Sequence, residues 1–473
     1  MAFQSGAFLL FLAVTTAVCL TAARRNRQAG RMLLTLACLV FCLLGGGWQT
    51  LLVLAAGTAV TGTALRRLRD GICRRRVLAL GCLWHVAVLA LFKYAGFFTA
   101  GAFSISWAPV GLSFFTFQQL WLLKEAYTQQ YFPGGEDALL LHAFFFPTLT
   151  SGPILRPGAF FPQLEGESFL RPGWDDAAAG LYAITLGMGK KLLLADSFGI
   201  IVNNGYARIG ELSAPAAWLV ILGYSLQLYF DFSGYCDIAT GAARLLGLRL
   251  PENFNLPYRS LSVGEFWKRW HMTLTAFLRE CVYIPLGGSR RGAVRTCVNI
   301  LLVFLLSGLW HGAGWTFLIW GGLHGLAQIA ERLWGEGRDH LPKALRWGLA
   351  FLFVNLAWVF FRAPDCSSAL ELLRAAAGGG LGTPQSWLLE GLLTSETNAV
   401  RTLLPALTPW LDSLRLVLLY GFGMAAALVP AGNTVRRMDC FRPGFWNGCG
   451  LCLLLAWCVL SFQGVDAFIY SNF

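Results

Sequence analysis

Residues 32–65 read MLLTLACLVFCLLGGGWQTLLVLAAGTAVTGTAL and contain no charged side chain. Because a transmembrane helix needs about 20 predominantly apolar residues, this stretch is long enough for two short helices that cross a bilayer as a pair. The glycines at 45–47 predict the turn between them, since glycine adopts turn conformations at little steric cost. Trp48 follows that turn, as expected of a tryptophan at a membrane interface.

Clusters of arginine flank this pair of helices. They are Arg24, Arg25, Arg27 and Arg31 before it, and Arg66, Arg67, Arg69, Arg74, Arg75 and Arg76 after it. Short cytoplasmic loops of membrane proteins are enriched in Lys and Arg, so both ends of the pair are predicted to face the cytoplasm. The apolar run at 7–22 has no basic segment before it, unlike a cleavable signal peptide. It predicts a retained first helix whose N-terminus lies outside.

The whole sequence has the composition of a membrane protein. Of its 473 residues, 56% are hydrophobic and 13% are charged, whereas soluble domains are about 25% charged. This excludes a disordered chain, a coiled coil and an ordinary cytosolic enzyme. We predict an all-α polytopic membrane protein with about ten to twelve transmembrane helices. Further spans are predicted at about 77–99, 108–128, 178–201, 215–247, 294–310, 313–333, 345–361, 411–430 and 446–462.

Three segments do not fit a simple span. Residues 138–150 are too short, so a re-entrant or buried helix is predicted. Residues 251–290 mix Trp, Arg, His, Pro and Gly with apolar residues. Such a broken segment cannot face lipid but can line an internal cavity. Residues 363–410 predict a short helix followed by an outer loop.

The formal net charge of +12 does not indicate nucleic-acid binding. The basic residues stand in short clusters between apolar runs, whereas a groove binder carries one continuous basic face. No metal site is predicted either. Cys449 and Cys452 form a C-x-x-C pair within an apolar run, without a second pair or a nearby histidine.

His311 is the first candidate catalytic residue. It lies in SGLWHGAGW, where glycines on both sides allow a substrate or another backbone to approach the ring. An imidazole inside a membrane protein is costly unless it is paired or faces water, and histidine accepts a proton from a hydroxyl near neutral pH. The alternative is a histidine that only packs between helices.

His271 is the second candidate and lies in EFWKRWHMTL. If this stretch is one helix, Trp267, Trp270 and His271 share a face. Lys268 and Arg269 then point elsewhere and form a basic surface suited to phosphate or carboxylate. The alternative is an amphipathic surface helix anchored by its tryptophans.

Polar residues also interrupt the apolar run at 215–247. Gln227, Asp231, Ser233 and Asp237 are predicted to be supporting intramembrane groups. Ser233 and Asp237 are one helical turn apart and share a face. The two carboxylates are either general bases or partners of arginines that follow, such as Arg244.

An ordered set of motifs resembles the membrane-bound O-acyltransferases. The set is DFSGYCDIA (231–239), NFNLPYRS (253–260), EFWKRWHMTL (265–274), YIPLGGSRRG (283–292) and GLWHGAGW (308–315). The similarity extends to the opening MAFQSGAFLLFL, FKYAGFF (92–98), PVGLSFFTFQ (109–118), FFPTLTSGPILRP (145–157), GMGKKLLLAD (187–196), WVFFRA (358–363) and the closing FIYSNF (468–473). The pattern is similar to the bacterial branch with the alginate O-acetyltransferase membrane subunit and the teichoic-acid D-alanyl transfer protein, and closer to the former.

This resemblance implies a ring of helices around a central cavity, with re-entrant segments and a cytoplasmic entry for an acyl donor. His311 matches the invariant histidine of the family, and His271 matches the second histidine, in the FWxRWH motif. The whole chain, 1–473, is then one membrane domain. It would comprise N-terminal helices (1–105), a core with the cavity and both histidines (106–330) and C-terminal helices (331–473).

The predicted function is acyl transfer from a cytoplasmic thioester, expected to be acetyl-CoA, to a hydroxyl of an exported polysaccharide. The acceptor is reached directly or through an extracytoplasmic SGNH-like acetyltransferase partner, at the bacterial cytoplasmic membrane. Acetyl-CoA is a co-substrate, and no bound cofactor is predicted. His311 removes the acceptor's proton. His271 orients the donor, donates to the oxyanion or forms an acyl-enzyme.

The residues predicted to contact the donor are Trp267, Lys268, Arg269, Trp270, Arg290, Arg291, Trp310 and Asn253. Trp315 is expected, with the other tryptophans, to narrow the passage and exclude water. Two alternatives stand beside this function. One is D-alanyl transfer from a carrier protein to teichoic acid. The other is a transporter or lipid flippase in which Asp231 and Asp237 are coupling sites.

Overall fold

The computed structural model describes residues 3, 5–99, 105, 107–129, 131–429 and 432–462. The closing FIYSNF and three residues of the opening motif lie outside the described residues. Within the described part, the chain is helical, and its single β contact is an isolated antiparallel bridge between Phe254 and Trp270.

Twenty α-helices, numbered in chain order, form the described fold. The first ten are α1 (Gly6–Arg25), α2 (Arg27–Arg69), α3 (Arg74–Phe98), α4 (Leu112–Gln129), α5 (Glu136–Phe144), α6 (Phe146–Leu149), α7 (Pro157–Glu165), α8 (Trp174–Gly189), α9 (Asp196–Ala207) and α10 (Ala214–Leu245). The others are α11 (Val263–Arg269), α12 (Met272–Leu278), α13 (Ala293–His311), α14 (Trp315–Trp334), α15 (Lys343–Arg362), α16 (Cys366–Gly378), α17 (Thr394–Leu403), α18 (Leu411–Leu428), α19 (Thr434–Asp439) and α20 (Phe445–Leu460).

Shorter helical turns connect several of these elements. Lys190–Ala195 and Arg279–Tyr283 are π-helical. The 3-10 turns are Ile209–Glu211, Pro257–Arg259, Gly335–His340, Ser386–Leu389 and Pro405–Trp410.

Helix α2 is a hairpin of two helices that meet at Gly47. That glycine has φ 75° and ψ 176°, which interrupts the helical backbone. Arg31, near the start of α2, pairs with Asp137 at 2.9 Å, and Arg66, near its end, pairs with Glu136 at 2.8 Å. Because these two acids are adjacent in sequence, both ends of α2 lie on the same side of the protein. The predicted pair of helices with a glycine turn is confirmed.

We call that side the arginine face, defined by Arg27, Arg31, Arg66, Arg69 and Arg74. The guanidinium of Arg74 donates to the carbonyl of Tyr127 at 2.7 Å, so the end of α4 lies there as well. One turn earlier in α4, Lys124 pairs with Glu280 at 3.4 Å. The chain passes from Glu280 through the turns at 284–292 into α13, and α13 therefore starts near the arginine face.

Seven helical segments within the described residues are long and apolar enough to cross a membrane. They are Gly6–Arg25, Arg27–Arg69, Arg74–Phe97, Trp174–Ala207, Ala293–His311, Lys343–Arg362 and Pro405–Leu428. This supports the predicted all-α polytopic fold, with fewer such segments than the ten to twelve spans predicted. Helix α10 is not among them because polar residues interrupt its apolar run, and most of its side chains are buried against protein.

Two of the segments that do not fit a simple span, residues 138–150 and 363–410, have different structures. Residues 138–150 form the short helices α5 and α6, which are almost entirely buried. The predicted short buried helix is thus confirmed. After α16, the predicted outer loop at 379–410 instead contains α17 and two 3-10 turns, so that segment is more helical than predicted.

Helices α8 and α10 approach each other closely at two pairs of glycines. A Cβ atom added to Gly234 would lie 2.7 Å from the carbonyl oxygen of Gly187. One added to Gly241, two turns further along α10, would lie 2.5 Å from the carbonyl oxygen of Gly180. Small residues let helix backbones approach in membrane proteins, and this contact holds α10 in the centre of the fold.

Substituting Gly234 with alanine is therefore expected to destabilise the protein by about 1–3 kcal/mol, as overpacking of a tight interior does. The measurement is thermal unfolding of the protein purified in detergent. Gly421→Ala in α18 is the matched control, because a Cβ there meets nothing within 4 Å. Equal unfolding temperatures for the two variants would contradict the close contact.

Candidate active site

His311 is the last residue of α13 and is 2% exposed. Three aromatic rings surround its imidazole, with centroid distances of 4.5 Å to Trp310, 5.1 Å to Trp320 and 4.9 Å to Phe361. Two residues later, Ala313 is exposed. The imidazole is therefore enclosed by aromatic rings, but it lies close to a surface of the protein.

A glycine contact between α13 and α14 brings Trp320 to His311. A Cβ at Gly308 would lie 2.3 Å from the carbonyl oxygen of Phe317 and 3.4 Å from the Cα of Gly321. Only glycine permits this approach. The glycines of GLWHGAGW thus act partly by packing two helices together, in addition to the predicted access to the ring.

His271 is held in a left-handed backbone conformation between α11 and α12, with φ 43° and ψ 55°. The chain breaks there because residues 253–255 pair with 269–272. The N–H of Asn255 donates to the carbonyl of Arg269 at 2.9 Å, and that of Met272 donates to the carbonyl of Asn253 at 3.0 Å. EFWKRWHMTL is therefore not one continuous helix, and the face that such a helix would give to Trp267, Trp270 and His271 does not form.

The side chain of Asn253 fixes the ring of His271. Its Oδ1 accepts hydrogen bonds from the Thr273 backbone N–H at 3.2 Å and hydroxyl at 2.7 Å, and lies 3.3 Å from His271 Nδ1. Its Nδ2 donates to the Cys236 sulfur at 3.3 Å. Since the oxygen can only accept, Nδ1 of His271 carries the proton and Nε2 presents its lone pair. Asn253, predicted to contact the donor, is a neighbour of the second histidine.

Trp310 connects the two candidate histidines. Its indole lies 4.5 Å from the ring of His311 and 6.4 Å from the ring of His271, between centroids. Phe114 of α4 contacts both Trp310, at 5.8 Å, and His271, at 6.3 Å. The structure therefore brings together three of the predicted site residues, with Asn253 behind the second histidine.

The other tryptophans predicted at the site lie elsewhere. Trp267 donates its indole N–H to His324 at 3.1 Å. Trp270 is 1% exposed and stacks on Phe266 at 5.4 Å. Because the helix ends before His271, neither ring forms the predicted wall beside that histidine. Trp315 is 69% exposed, which contradicts its predicted role in narrowing the passage.

The predicted basic residues do not surround the histidines either. Arg269 pairs with Glu265 at 2.8 Å and donates to the carbonyl of Asn255, while Lys268 is exposed. Arg290 and Arg291 are exposed in the turn before α13. With a rise of about 1.5 Å per residue, α13 separates them from His311 by roughly 28 Å. They can meet a donor only at the arginine face.

The intramembrane carboxylates of α10 are ion-paired. Asp231 pairs with Lys191 at 2.8 Å, and Asp237 pairs with Lys190 at 2.6 Å. The pairing interpretation is supported, but the predicted partner is wrong, because Arg244 pairs with Asp176 and Asp439 instead. Both lysines belong to the π-helical turn that follows α8.

Breaking one of these pairs is expected to destabilise the fold. Lys190→Met should cost about 3 kcal/mol, because it leaves the buried Asp237 carboxylate without its cation. The double variant Lys190→Met/Asp237→Asn should recover most of the loss in thermal unfolding. Lys343→Met removes an exposed lysine and is the control. If the double variant is less stable than the single one, the pair is not what holds this region.

Gln227 and Ser233, the other predicted polar groups of α10, face different neighbours. Gln227 lies against Gly199 of α9. Ser233 lines a narrow crevice together with Lys190, Asp237 and Asn253. Burial raises the pKa of Glu252, at the same crevice, above its usual range. The backbone N–H of Arg249 donates to the side chain of Gln163 in α7. The next residue of α7, Leu164, accepts at its carbonyl from Arg27 of the arginine face. The crevice residues that follow Arg249 in sequence, such as Glu252, therefore lie near the arginine face.

The N-terminal helices contribute residues that sequence reasoning missed. Lys93 of α3 donates to the carbonyl of Trp310, and its neighbour Tyr94 donates to the carbonyl of Leu309 at 2.8 Å. Phe117 of α4 stacks on Trp310 at 5.1 Å. One signal was available: a lysine inside an apolar run indicates a functional site by default.

Comparison with known proteins identifies the family of this chain. A sequence model described as the membrane-bound O-acyltransferase family matches residues 138–365. A probable alginate O-acetylase of Pseudomonas aeruginosa is 35% identical over 398 residues, which cover 79% of this chain and 74% of that protein. The chain belongs to the membrane-bound O-acyltransferase family. The family and the enzyme class predicted from the motifs are thereby confirmed.

Other members of the membrane-bound O-acyltransferase family are also similar. A peptidoglycan O-acetyltransferase of Helicobacter pylori is 38% identical over 344 residues, 64% of this chain and 65% of that protein. A teichoic acid D-alanyltransferase of Bacillus subtilis is 30% identical over 252 residues, 50% of this chain and 63% of that protein. Lys93, Phe114 and Phe117 lie outside the segment that the family model matches.

Proposed function

We propose that this protein transfers an acetyl group from a thioester on the arginine face to a hydroxyl of a cell-envelope polysaccharide on the opposite side. The observation that carries the proposal is the shared contact of His271 and His311 with the indole of Trp310. The names of the similar proteins from Pseudomonas and Helicobacter support acetyl as the group transferred.

The geometry supports a path through the protein. His311 lies at the end of α13 that is remote from Arg290 and Arg291, close to an exposed segment. His271 follows α11. The first two backbone N–H groups of α11 donate to the carboxylate of Glu331, near the end of α14 that is remote from His311. A donor that approaches from one face and an acceptor that approaches from the other would meet at Trp310.

The chemical step requires one proton acceptor. The acceptor hydroxyl oxygen attacks the thioester carbonyl carbon, and its proton passes to His311. The tetrahedral intermediate then collapses, the carbon–sulfur bond breaks, and the thiolate leaves with the electron pair. His311 returns the proton to the thiolate, which restores the neutral imidazole. The aromatic rings around it exclude water, which would otherwise hydrolyse the thioester.

The donor is proposed to be acetyl-CoA in the cytoplasm. The enrichment of arginine on one face supports a cytoplasmic location for that face and, with it, a start of α1 on the outer side of the bacterial cytoplasmic membrane. Arg290 and Arg291 would attract the donor's phosphates there, and the crevice at Lys190 and Asn253 offers polar groups toward His271. An SGNH-like partner on the outer side would relay the acetyl group if the polysaccharide is not the direct acceptor.

The test compares polysaccharide from cells with the protein, cells without it, and cells complemented with the wild-type chain. Base-labile acetate on the polymer should disappear with the protein and return on complementation. The purified protein in liposomes should also consume labelled acetyl-CoA when acceptor polymer is supplied on the other side. Unchanged polymer acetate in the deletion would contradict the proposal.

D-alanyl transfer is a separate outcome of the same test. The similarity to the Bacillus subtilis D-alanyltransferase keeps this reaction within the family. Loss of ester-linked D-alanine, with acetate unchanged, would assign that reaction instead. A transporter role loses support, because both carboxylates proposed as coupling sites are paired with lysines.

A further inference from the structure

A lysine of the N-terminal helices reaches the carboxyl end of α13, where His311 lies. The last carbonyls of a helix lack N–H partners within the helix and form the negative end of its dipole. In α13, the carbonyl of Leu309 accepts from the hydroxyl of Tyr94, and that of Trp310 accepts from the ammonium of Lys93. Helix α3 thus caps the helix that carries the candidate base.

Lys93 also lies over the ring of Trp310, with its Nζ 5.5 Å from the ring centroid. The same indole also contacts the rings of both candidate histidines. A cation bound to a carbonyl and to an aromatic face is held on two sides. The carbonyl that it binds belongs to the residue directly before His311.

A lysine within an apolar helix has a cost that calls for a reason. Lys93 lies within Arg74–Phe97, a segment apolar enough to cross a membrane, and ionisable side chains in such segments are expensive. Tyr94 alone shows that a neutral hydroxyl can cap a carbonyl of the same helix end. Capping alone therefore does not require the ammonium of Lys93. Its position beside Trp310 and His311 suggests that it serves the reacting groups.

We propose that Lys93 is a positioning residue for His311, which makes α3 part of the active site although it lies outside the segment matched by the family model. Its charged hydrogen bond fixes the last turn of α13, and with it the direction of the imidazole. The proposal rests on the proposed acetyl transfer for its kinetic test only. The hold on the helix end is measurable without any substrate.

The experiment compares Lys93→Met, Lys93→Arg and, as the control, Lys343→Met in the full-length protein. Lys93→Met keeps the aliphatic stem but removes the charge and the donor. Its kcat should fall about 10- to 100-fold, as for loss of one charge-assisted hydrogen bond, while KM for acetyl-CoA changes less than threefold. Lys93→Arg keeps charge and donors and should recover most of kcat. Lys343→Met removes an exposed lysine at the start of α15 and should stay within a few-fold of wild type.

Hydrogen exchange of the backbone amides at 305–315, read by mass spectrometry, is the second measurement. Exchange should be faster in Lys93→Met and restored in Lys93→Arg. A kcat within threefold of wild type for Lys93→Met, or equal losses in all three variants, would overturn the proposal. If the wild-type protein transfers no acetyl group, the proposed function fails by itself. The exchange data then decide: unchanged exchange in Lys93→Met overturns the role of the lysine, and faster exchange that arginine restores supports it.

Discussion

Replacing His311 with alanine is expected to lower acetyl transfer about 10²- to 10⁴-fold, the usual contribution of a positioned general base. His311 is the candidate base because it lies at the end of α13 that is remote from the arginine face and shares Trp310 with the second histidine. The acceptor hydroxyl keeps its proton when the imidazole is absent, so it attacks the thioester poorly. The measurement is the rate of acetate incorporation into polymer, with the amount of protein in the membrane determined in parallel.

Two further variants separate chemistry from packing in this experiment. Removing a buried ring leaves a cavity, which by itself destabilises a protein. His311→Gln fills much of that space without supplying a comparable base, and it should be as inactive as His311→Ala. His340→Ala removes an exposed histidine near the end of α14 and should retain full activity. If His311→Gln, at normal abundance, transfers acetyl within threefold of the wild-type rate, His311 is not the general base.

The N-terminal hairpin was predictable because its signals are local. The length of an apolar run is limited by the thickness of a bilayer, and three glycines in its middle admit a turn. Arginines at both ends require the two ends to lie on one side. The structure has the interruption at Gly47 and places Arg31 and Arg66 beside adjacent acids. Each step used residues that are close together in the sequence.

The region of His271 was predicted wrongly because its conformation depends on a distant segment. Nothing in EFWKRWHMTL opposes a helix by propensity, and the break arises where residues 253–255 bond to 269–272. The same break turns Trp267 and Trp270 into the protein interior. The pairing of NFNLPYRS with EFWKRWHMTL is not visible in the periodicity of either motif, although both motifs marked residues that meet at the site.

The contacts of Trp310 show a second limit of sequence reasoning. Phe114, Phe117 and Lys93 reach it from helices about two hundred residues earlier in the chain. Hydrophobic periodicity predicts that a helix is buried, but it does not tell which other helix covers it. A lysine within an apolar run, such as Lys93, is the exception, because its cost marks it as a candidate functional residue before its partner is known.

Replacing His271 with alanine is expected to lower kcat about 100-fold, somewhat less than the loss of His311. The structure narrows its role. Asn253 Oδ1, which also accepts from both donors of Thr273, requires the proton of His271 to be on Nδ1. In the neutral ring Nε2 then offers a lone pair, which favours two roles for His271, orienting the donor or attacking its carbonyl carbon. Donation to an oxyanion from Nε2 would require the doubly protonated ring.

Labelled donor distinguishes the two roles that remain. If Nε2 attacks the thioester, His311→Ala should accumulate acetyl on the protein, because the second step lacks its base, and the label should vanish in His271→Ala/His311→Ala. His271→Asn is the structural control, since asparagine tolerates the left-handed backbone at this position. It should fold normally and carry no label. No label in His311→Ala, together with a reduced kcat in His271→Asn, would assign His271 to orienting the donor, because an acyl-enzyme must carry the acetyl group between the two steps.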